Sequence, residues 1–324
     1  MEKFVLIADS IDKICSQTLQ EKYGLTVVYH PDINIKFIKN LIDRYDGLIV
    51  RSRTNVDKQM IERGAKGIVE FQKGCLKVIG RAGIGLDNID LEAAKEFDVK
   101  VFNVADGHIP SVAEHTIGLM IALSRDLISA CNSTHNGNWE KSKFKGNELH
   151  GKTLGIIGYG QIGQRVATIA NAIGMEILIH DPHVQKNSSF DDFDNFDELE
   201  FVSLKLMFKM CDLITLHVPL NSDTEKMVNS KLLNIAKKNL RLINTSRGKV
   251  IDEDALYKVI YNGTILGAAL DVFSIEPPIG APLLRLSNVI ATPHISSSTV
   301  EAQYRIAKTI ANKIGIYLTK GEQQ

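Results

Sequence analysis

Residues 152–182 read KTLGIIGYGQIGQRVATIANAIGMEILIHDP, and the order of apolar runs and glycines along them decides the fold. Thr153 to Ile157 is a short apolar run of the length of a buried parallel strand. Gly158, Gly160 and Gly163 follow, spaced G-x-G-x-x-G. Ile162, Val166, Ile169 and Ile173 then recur on one helical face until Gly174, and a second apolar run, Glu176 to Ile179, leads to Asp181. Glycines in this spacing also mark ordinary turns. Here a strand stands before them, a helix after them and an acid at the end of the next strand, which is the context a dinucleotide fingerprint requires. Gly158 permits the tight turn, Gly160 lets a pyrophosphate approach the backbone, and Gly163 lets helix and strand pack closely. The amides at the helix start, at Gln161 and Ile162, face the phosphates with the positive end of the helix dipole. Asp181 lies 18 residues after Gly163, where a carboxylate bonds the ribose hydroxyls and repels a 2′-phosphate. Pro182 and His183 follow it rather than an arginine, so NAD is expected over NADP.

The same alternation extends in both directions. Strands are expected at Phe4–Ala8, Thr26–Tyr29, Leu48–Val50, Lys77–Ile79 and Val99–Val104, with helical faces at Ile11–Leu19 and Ile35–Arg44. One long helix is expected from Ser111 to Cys131, then a polar stretch from His135 to His150 with the only tryptophan, Trp139. Beyond the fingerprint come strands at Leu213–Val218, Arg241–Asn244, Ile265–Val272 and Val289–Ala291, and a final helix from Thr299 to Leu318. Two α/β units with mostly parallel sheets follow from this pattern. Asn187 to Glu200, with six acidic residues and three phenylalanines, reads as a solvated surface insertion.

Composition narrows the classes. The 324 residues carry no net charge and have a pI near 7.1, so neither a nucleic acid nor a membrane is expected as partner. The first residues, MEKFVLIADS, are too short an apolar run for a signal peptide. Cys15, Cys75, Cys131 and Cys211 are scattered without C-x-x-C spacing, which fits reduced thiols in a cytoplasmic protein. His180 and His183 have no third ligand nearby, so no metal is expected.

Ligands of parallel sheets bind beyond the carboxyl ends of the strands. That rule selects Arg51 and Arg53 after one strand, Gly83 and Gly85 after another, Arg247 in INTSRG, Asp271 and Glu276 after GAALDV, and His294 after NVIATP. An Arg, a Glu and a His in such places suit oxidation of a hydroxy acid. The Arg holds the carboxylate in a bidentate fork, and the His takes the hydroxyl proton with its tautomer fixed by a carboxylate. Any one of the three alone reads as an ion pair, a loop residue or a helix-start residue; the set on a dinucleotide fold reads as chemistry.

The stretches DGLIVRSRT, KVIGRAGIGLDNIDLEAA, SVAEHTIGLMIAL, GKTLGIIGYGQIG, LHVPL, INTSRGKVIDEDAL, GAALDVFSIEPP and NVIATPHISSSTVEA resemble the D-isomer-specific 2-hydroxyacid dehydrogenase family over nearly the whole chain. Within that family they are most similar to members that oxidise 3-phospho-D-glycerate to 3-phosphohydroxypyruvate, the first step of L-serine biosynthesis. The resemblance implies two Rossmann-like domains: a flavodoxin-like substrate domain of residues 1–104 plus 295–324, and an inserted NAD-binding domain of residues 105–294, with catalysis in the cleft between them. It implies that Arg247 binds the substrate carboxylate, that Glu276 pairs with His294, that His294 is the acid/base, and that Asp271 contacts the nicotinamide carboxamide. Further cofactor contacts are implied at Val218, Thr245, Ser246, Arg247, His294 and Ser297. Substrate contacts are implied at Arg51, Ser52, Arg53, Gly83, Ile84, Gly85, His108, Arg247 and His294. It also implies a homodimer formed through the NAD domain, with a tetramer left open.

Two positions depart from the family pattern: His108 stands where an active-site asparagine is usual, and Ser296 replaces the glycine after the catalytic histidine. Longer relatives carry a C-terminal serine-binding domain, whereas 30 residues follow His294 here, so inhibition by free serine is not expected. Glyoxylate or hydroxypyruvate reduction is the rival activity, against which Arg51 and Arg53 speak, since two cations suit a phosphate. A cofactor-sensing, corepressor-like binding protein of this fold is the rival of another class.

Overall fold

A computed structural model describes residues 2–67, 74–184 and 200–321. Most of the acidic stretch 187–200 lies outside the described residues. The chain divides into two compact units, Met1–His108 with Ser298–Gln324, and Ile109–Ser297. The first unit therefore runs to His108 rather than 104 and resumes at Ser298 rather than 295.

In chain order the first unit opens with β1 (Phe4–Ile7), α1 (Ile14–Gln17), β2 (Thr26–Tyr29), α2 (Ile35–Leu41) and β3 (Gly47–Val50). It continues through α3 (Lys58–Lys66), β4 (Val78–Arg81), α4 (Leu91–Glu96) and β5 (Lys100–Asn103). The inserted unit contains α5 (Ile109–Arg125), α6 (Leu127–His135), β6 (Thr153–Ile157), α7 (Gln161–Ala172), β7 (Glu176–His180) and β8 (Glu200–Phe201). Then come α8 (Leu204–Met210), β9 (Leu213–Leu216), α9 (Ser230–Leu233), β10 (Arg241–Asn244), α10 (Glu253–Tyr261), β11 (Gly267–Leu270) and β12 (Val289–Ala291). The chain returns to the first unit for α11 (Val300–Lys320).

The first sheet has the order β2-β1-β3-β4-β5 with every pair parallel, the flavodoxin-like arrangement. Its strands are apolar on both faces because helices cover both. Val5 and Ile7 of β1 point, with Ile49 and Val78, into a cluster with Ile306, Ile310, Ile314 and Leu318 of α11. Leu6 and Ala8 face the opposite cluster, which holds Ile38, Met60, Ile61 and Ala93 of α2, α3 and α4. Helices α2, α3 and α4 start on side-chain caps from Asn34, Asp57 and Asp90, each accepting a backbone amide.

The second sheet has the order β12-β11-β10-β9-β6-β7-β8, again all parallel. Strand order reverses between β6 and β9, so the carboxyl ends of these two strands form the switch point at which a doubly wound sheet receives its ligand. One face packs on α5 and α7 through Ile117, Met120, Val166 and Ala170. The other packs on α8 and α10 through Met207, Phe208, Leu256 and Val259.

The single helix expected over Ser111–Cys131 is two helices. Asp126 adopts a left-handed conformation, φ 49° and ψ 41°, between α5 and α6, and one residue in that region ends the i to i−4 ladder. No helix among the described residues is long and apolar enough to cross a membrane.

Candidate active site

The turn between β6 and α7 is close-packed at Gly158 and Gly163 and open at Gly160. Gly158 holds φ +92°, and a Cβ there would lie 2.6 Å from the His217 carbonyl oxygen. A Cβ on Gly163 would lie 2.2 Å from the carbonyl oxygen of Gly158, so only glycine lets the helix sit this close to the strand. Gly160 is exposed, and nothing approaches its missing Cβ within 4 Å. The first amides of α7, at Gln161 and Ile162, thus open onto an uncluttered surface at the switch point. Asp181, just beyond β7, accepts the Tyr159 amide at 2.8 Å and the His183 amide at 2.9 Å. These two bonds fix the carboxylate beside the glycine turn and leave lone pairs for ribose hydroxyls. The glycine cradle, the open helix start and the fixed carboxylate together fit NAD.

Along the same sheet edge, β10, β11 and β12 are neighbours and each delivers chemistry at its carboxyl end. Asn244 ends β10 fully buried. Its amide oxygen accepts the Ser246 amide at 3.0 Å and the Ser246 hydroxyl at 2.8 Å, and its amide nitrogen donates to the Arg247 carbonyl at 3.0 Å. The Thr245 hydroxyl meets that of Thr116 at 3.0 Å. Arg247 is half-buried and donates from one terminal nitrogen to the Ser246 carbonyl at 2.8 Å. Gly248 follows because a Cβ there would lie 1.9 Å from the Phe273 carbonyl carbon. Val218, beyond β9, and Ser297, beyond His294, are both partly exposed.

His294 and Glu276 are paired, Nδ1 to Oε2, at 2.8 Å. A carboxylate only accepts, so Nδ1 carries the proton and Nε2 of the neutral ring is left as a base. The other Glu276 oxygen accepts the Phe273 amide at 3.1 Å. Burial pushes the Glu276 carboxyl up, but the hydrogen bond and charge of His294 and the Phe273 amide outweigh it, so its pKa lies below the ordinary value.

Asp271 is wholly buried. One oxygen accepts the Thr292 hydroxyl at 2.6 Å and the Ile295 amide at 2.8 Å; the other accepts the Ser296 amide at 2.8 Å. Burial raises its pKa, but these bonds and His115 lower it further, to about 2. The carboxylate expected to meet the nicotinamide also holds the loop that carries His294. Ser296 keeps φ outside the left-handed region, so the backbone there does not require glycine.

In the first unit the candidates gather at the carboxyl ends of β3 and β4. Asp9, just past β1 and 2% exposed, is the organiser that the sequence reading missed. It accepts the Arg51 amide at 2.6 Å, the Thr54 hydroxyl at 2.6 Å, the Thr54 amide at 3.3 Å and Arg53 Nε at 3.0 Å. Asn88 clamps the same loop, donating to the carbonyls of Arg51 at 2.7 Å and Thr54 at 2.6 Å. Arg51 and Arg53 are not equivalent. Arg53 also donates to the Ala8 carbonyl at 2.5 Å and, from both terminal nitrogens, to the Ile33 carbonyl at 3.4 Å. Arg51 makes one side-chain bond, to the Ser10 carbonyl at 3.2 Å. Burial lowers the Arg51 pKa and the nearby Asp9 charge opposes it, with a net lowering. Ser52 is exposed, Ile84 is 38% exposed, and Gly85 is partly exposed. Gly83 (φ +149°) is buried where a Cβ would overlap the Arg81 guanidinium. His108 is buried, 4% exposed. No group of three or more His, Cys, Asp or Glu that could hold a metal occurs among the described residues, and His180 Nδ1 meets the Val202 carbonyl instead.

The comparisons with known proteins agree with this chemistry. A family model for the D-isomer specific 2-hydroxyacid dehydrogenase, NAD binding domain, matches residues 117–296. The chain is 42% identical over 313 residues to a hydroxypyruvate reductase of Thermotoga maritima, covering 96% of each. It is 45% identical over 273 residues to a D-3-phosphoglycerate dehydrogenase of Methanocaldococcus jannaschii, covering 83% of this chain and 49% of that one. The chain thus spans about half the length of that relative. Among solved structures, D-lactate dehydrogenase from Aquifex aeolicus complexed with NAD and lactic acid superposes with a TM-score of 0.82 at 26% identity, covering 98% of this chain and 96% of that one. With a histidine–glutamate pair and an arginine on adjacent strand ends of an NAD-binding sheet, and relatives of this kind along its length, the chain belongs to the NAD-dependent D-isomer-specific 2-hydroxyacid dehydrogenase family.

Proposed function

We propose that the chain oxidises 3-phospho-D-glycerate to 3-phosphohydroxypyruvate, with Arg247, Glu276 and His294 as its catalytic residues. Arg247 holds the substrate carboxylate. His294 Nε2 takes the proton of the 2-hydroxyl as hydride leaves C2, and Glu276 stabilises the imidazolium that results. NAD, when bound, supplies the hydride acceptor. The observation that carries the chemistry is the 2.8 Å bond from His294 Nδ1 to Glu276, which leaves the base on the other ring nitrogen. The half-buried Arg51, with a single side-chain bond, supplies the cation for the phosphate.

A second reading, reduction of hydroxypyruvate or glyoxylate by the same residues, is favoured by Arg53. Its fork is occupied by Asp9 and two carbonyls, so one cation rather than two is left for a phosphate. Initial rates with NAD(H) on 3-phosphoglycerate, 3-phosphohydroxypyruvate, hydroxypyruvate and glyoxylate separate the two. A higher kcat/KM on the phosphorylated pair, lost selectively in Arg51→Ala, supports the first reading. Equal or higher values on hydroxypyruvate overturn it. No turnover on any of them would leave a cofactor-sensing binding protein. His294→Asn tests the base and should lose roughly 10²–10⁴ in kcat.

The active form is proposed to be a homodimer built on the inserted unit. Helix α6 buries none of its own residues in the single chain. Leu127, Ile128 and Trp139 are 45%, 52% and 86% exposed, an apolar surface of the kind that seeks a partner. Light scattering at micromolar concentration reads the mass. The four cysteines are unpaired, which accords with a reducing cytoplasm.

A further inference from the structure

The chemistry proposed above gives no role to the histidine of α5. His115 projects from α5 with its side chain 22% exposed, and its Nε2 lies 3.3 Å from the Thr292 hydroxyl and 3.6 Å from Asp271 Oδ1. The Thr292 hydroxyl gives its proton to Asp271 at 2.6 Å, because a carboxylate can only accept. Toward His115 it therefore presents a lone pair, and His115 Nε2 must be the donor. Asp271 in turn receives the amides of Ile295 and Ser296, the two residues that follow His294. The His294 amide itself points back at the Asp271 and Thr292 carbonyls, at 2.9 and 3.0 Å.

The backbone so held is unusual. His294 has φ +53°, a left-handed conformation that a histidine keeps only where its surroundings over-determine it. Besides those two backbone carbonyls, the holding bonds converge on one buried carboxylate and one hydroxyl, and His115 is the side chain that backs both.

We infer that His115 is a positioning residue for His294: it anchors Thr292 and Asp271 from α5 and so keeps the His294 loop in its left-handed turn, with Nδ1 on Glu276. This rests on the reading of His294 as the acid/base. Without His115, the Thr292 hydroxyl loses its outer partner and Asp271 keeps a looser hold on the amides of Ile295 and Ser296. The loop relaxes toward negative φ, and the imidazole leaves its line with Glu276.

The test is kinetic, on the purified full chain. His115→Leu, His115→Gln, Thr292→Val and the double variant His115→Leu/Thr292→Val are compared with wild type. NADH carrying deuterium at the transferred position is used with hydroxypyruvate and 3-phosphohydroxypyruvate, whichever turns over faster. His115→Leu should lower kcat about tenfold, the scale of a small misplacement of a reacting group. It should leave the number of NADH sites, read by fluorescence titration, and the KM for NADH unchanged. The isotope effect on kcat should rise, because the chemical step has become slower, whereas a loss of folded enzyme would not move it. His115→Gln, which can still donate, should recover most of the rate. Thr292→Val should match His115→Leu, and the double variant should be no worse than the worse single one. Thr292→Val carries the same prediction from the other side of the contact should His115→Leu fold poorly. A wild-type rate and isotope effect in both single variants would overturn the inference, as would losses that multiply in the double variant or that track loss of NADH sites. His294→Asn keeps the two readings apart. If it abolishes turnover while His115→Leu is silent, only the role of His115 falls; if it turns over normally, both fall.

Discussion

Arg53→Ala should weaken the fold of the first unit more than it weakens substrate binding, and Arg51→Ala should do the reverse. Asp9 is 2% exposed and takes four hydrogen bonds, one of them from Arg53 Nε at 3.0 Å. Truncating Arg53 removes the charged partner and frees the Ala8 and Ile33 carbonyls. A hydrogen bond to a charged group contributes about 1.5–3 kcal/mol. The Arg53 side chain is 49% exposed, so water screens the pair and replaces some of what is lost, which lowers the expected cost to about 1–2 kcal/mol. For a unit of this size that corresponds to a fall in Tm of roughly 3–8 °C. Arg51→Ala gives up one side-chain bond, at 3.2 Å to Ser10, and should melt within about 1–2 °C of wild type. Its KM for 3-phosphoglycerate should rise about 10–100-fold, the loss of one charge-assisted bond to phosphate. Thermal melts and Michaelis curves on both variants in one buffer read the two effects separately. If Arg53→Ala melts with the wild type yet selectively loses the phosphorylated substrate, the division of labour between the two arginines is refuted.

The carboxylate of Asp181 should give NAD at least a tenfold advantage in kcat/KM over NADP, about 1.4 kcal/mol, and Asp181→Ser should narrow it; equal values in the wild type would count against that role. Asp271 has its pKa depressed from 3.8 to about 2, so its stabilisation is fully present above pH 4 and is lost as pH falls through the interval toward 2. Urea titrations from pH 6 to 3 should show the gap between wild type and Asp271→Asn shrinking by about 1 kcal/mol across that window, and a constant gap would refute the linkage. Gly163→Ala places a Cβ 2.2 Å from the Gly158 oxygen. Overpacking of about 1–3 kcal/mol should exceed the gain of about 1 kcal/mol in helix propensity, and NADH affinity should fall; a variant that melts higher and binds as before would contradict the packing role.

The nucleotide-binding half was legible because independent signals in residues 152–182 agree: strand length, glycine spacing, helical period and a terminal acid. The set Arg247, Glu276 and His294 came from position alone, each lying beyond a strand of one parallel sheet. The break at Asp126 was not legible, since apolar residues continue across it from Leu123 to Leu127 and Ile128, and a single left-handed residue leaves no mark on periodicity. Arg51 and Arg53 look alike in RSRT; only the fold separates them, by bringing Asp9, Ala8 and Ile33 to one guanidinium. Asp9 was within reach of the rule used for the others, for it follows β1 directly. His115 was not, because a histidine within an apolar helix is ordinarily packing, and its partner lies 177 residues away. Helix α3 carried a readable start in its cap, Asp57 on the Met60 amide.

The interleaving of the two units sets a timetable for synthesis. Ile306, Ile310, Ile314 and Leu318 complete a core whose other side is β1, β3 and β4, yet the ribosome reaches them only after the whole of Ile109–Ser297. At roughly 5–20 residues per second, about 190 intervening residues take about 10–40 s. During that interval one face of the first sheet, with Val5, Ile7, Ile49 and Val78, has only α1 and its flanking Ile11 and Leu19 to cover it, while by its end the inserted unit holds every strand and helix of its own sheet. The nascent chain should therefore acquire structure from the middle outward. Ribosome-stalled chains in which residue 298 has just emerged should be cut by protease within residues 2–108 and resist within 109–184. Extending the stall until residue 320 has emerged should protect the first segment as well.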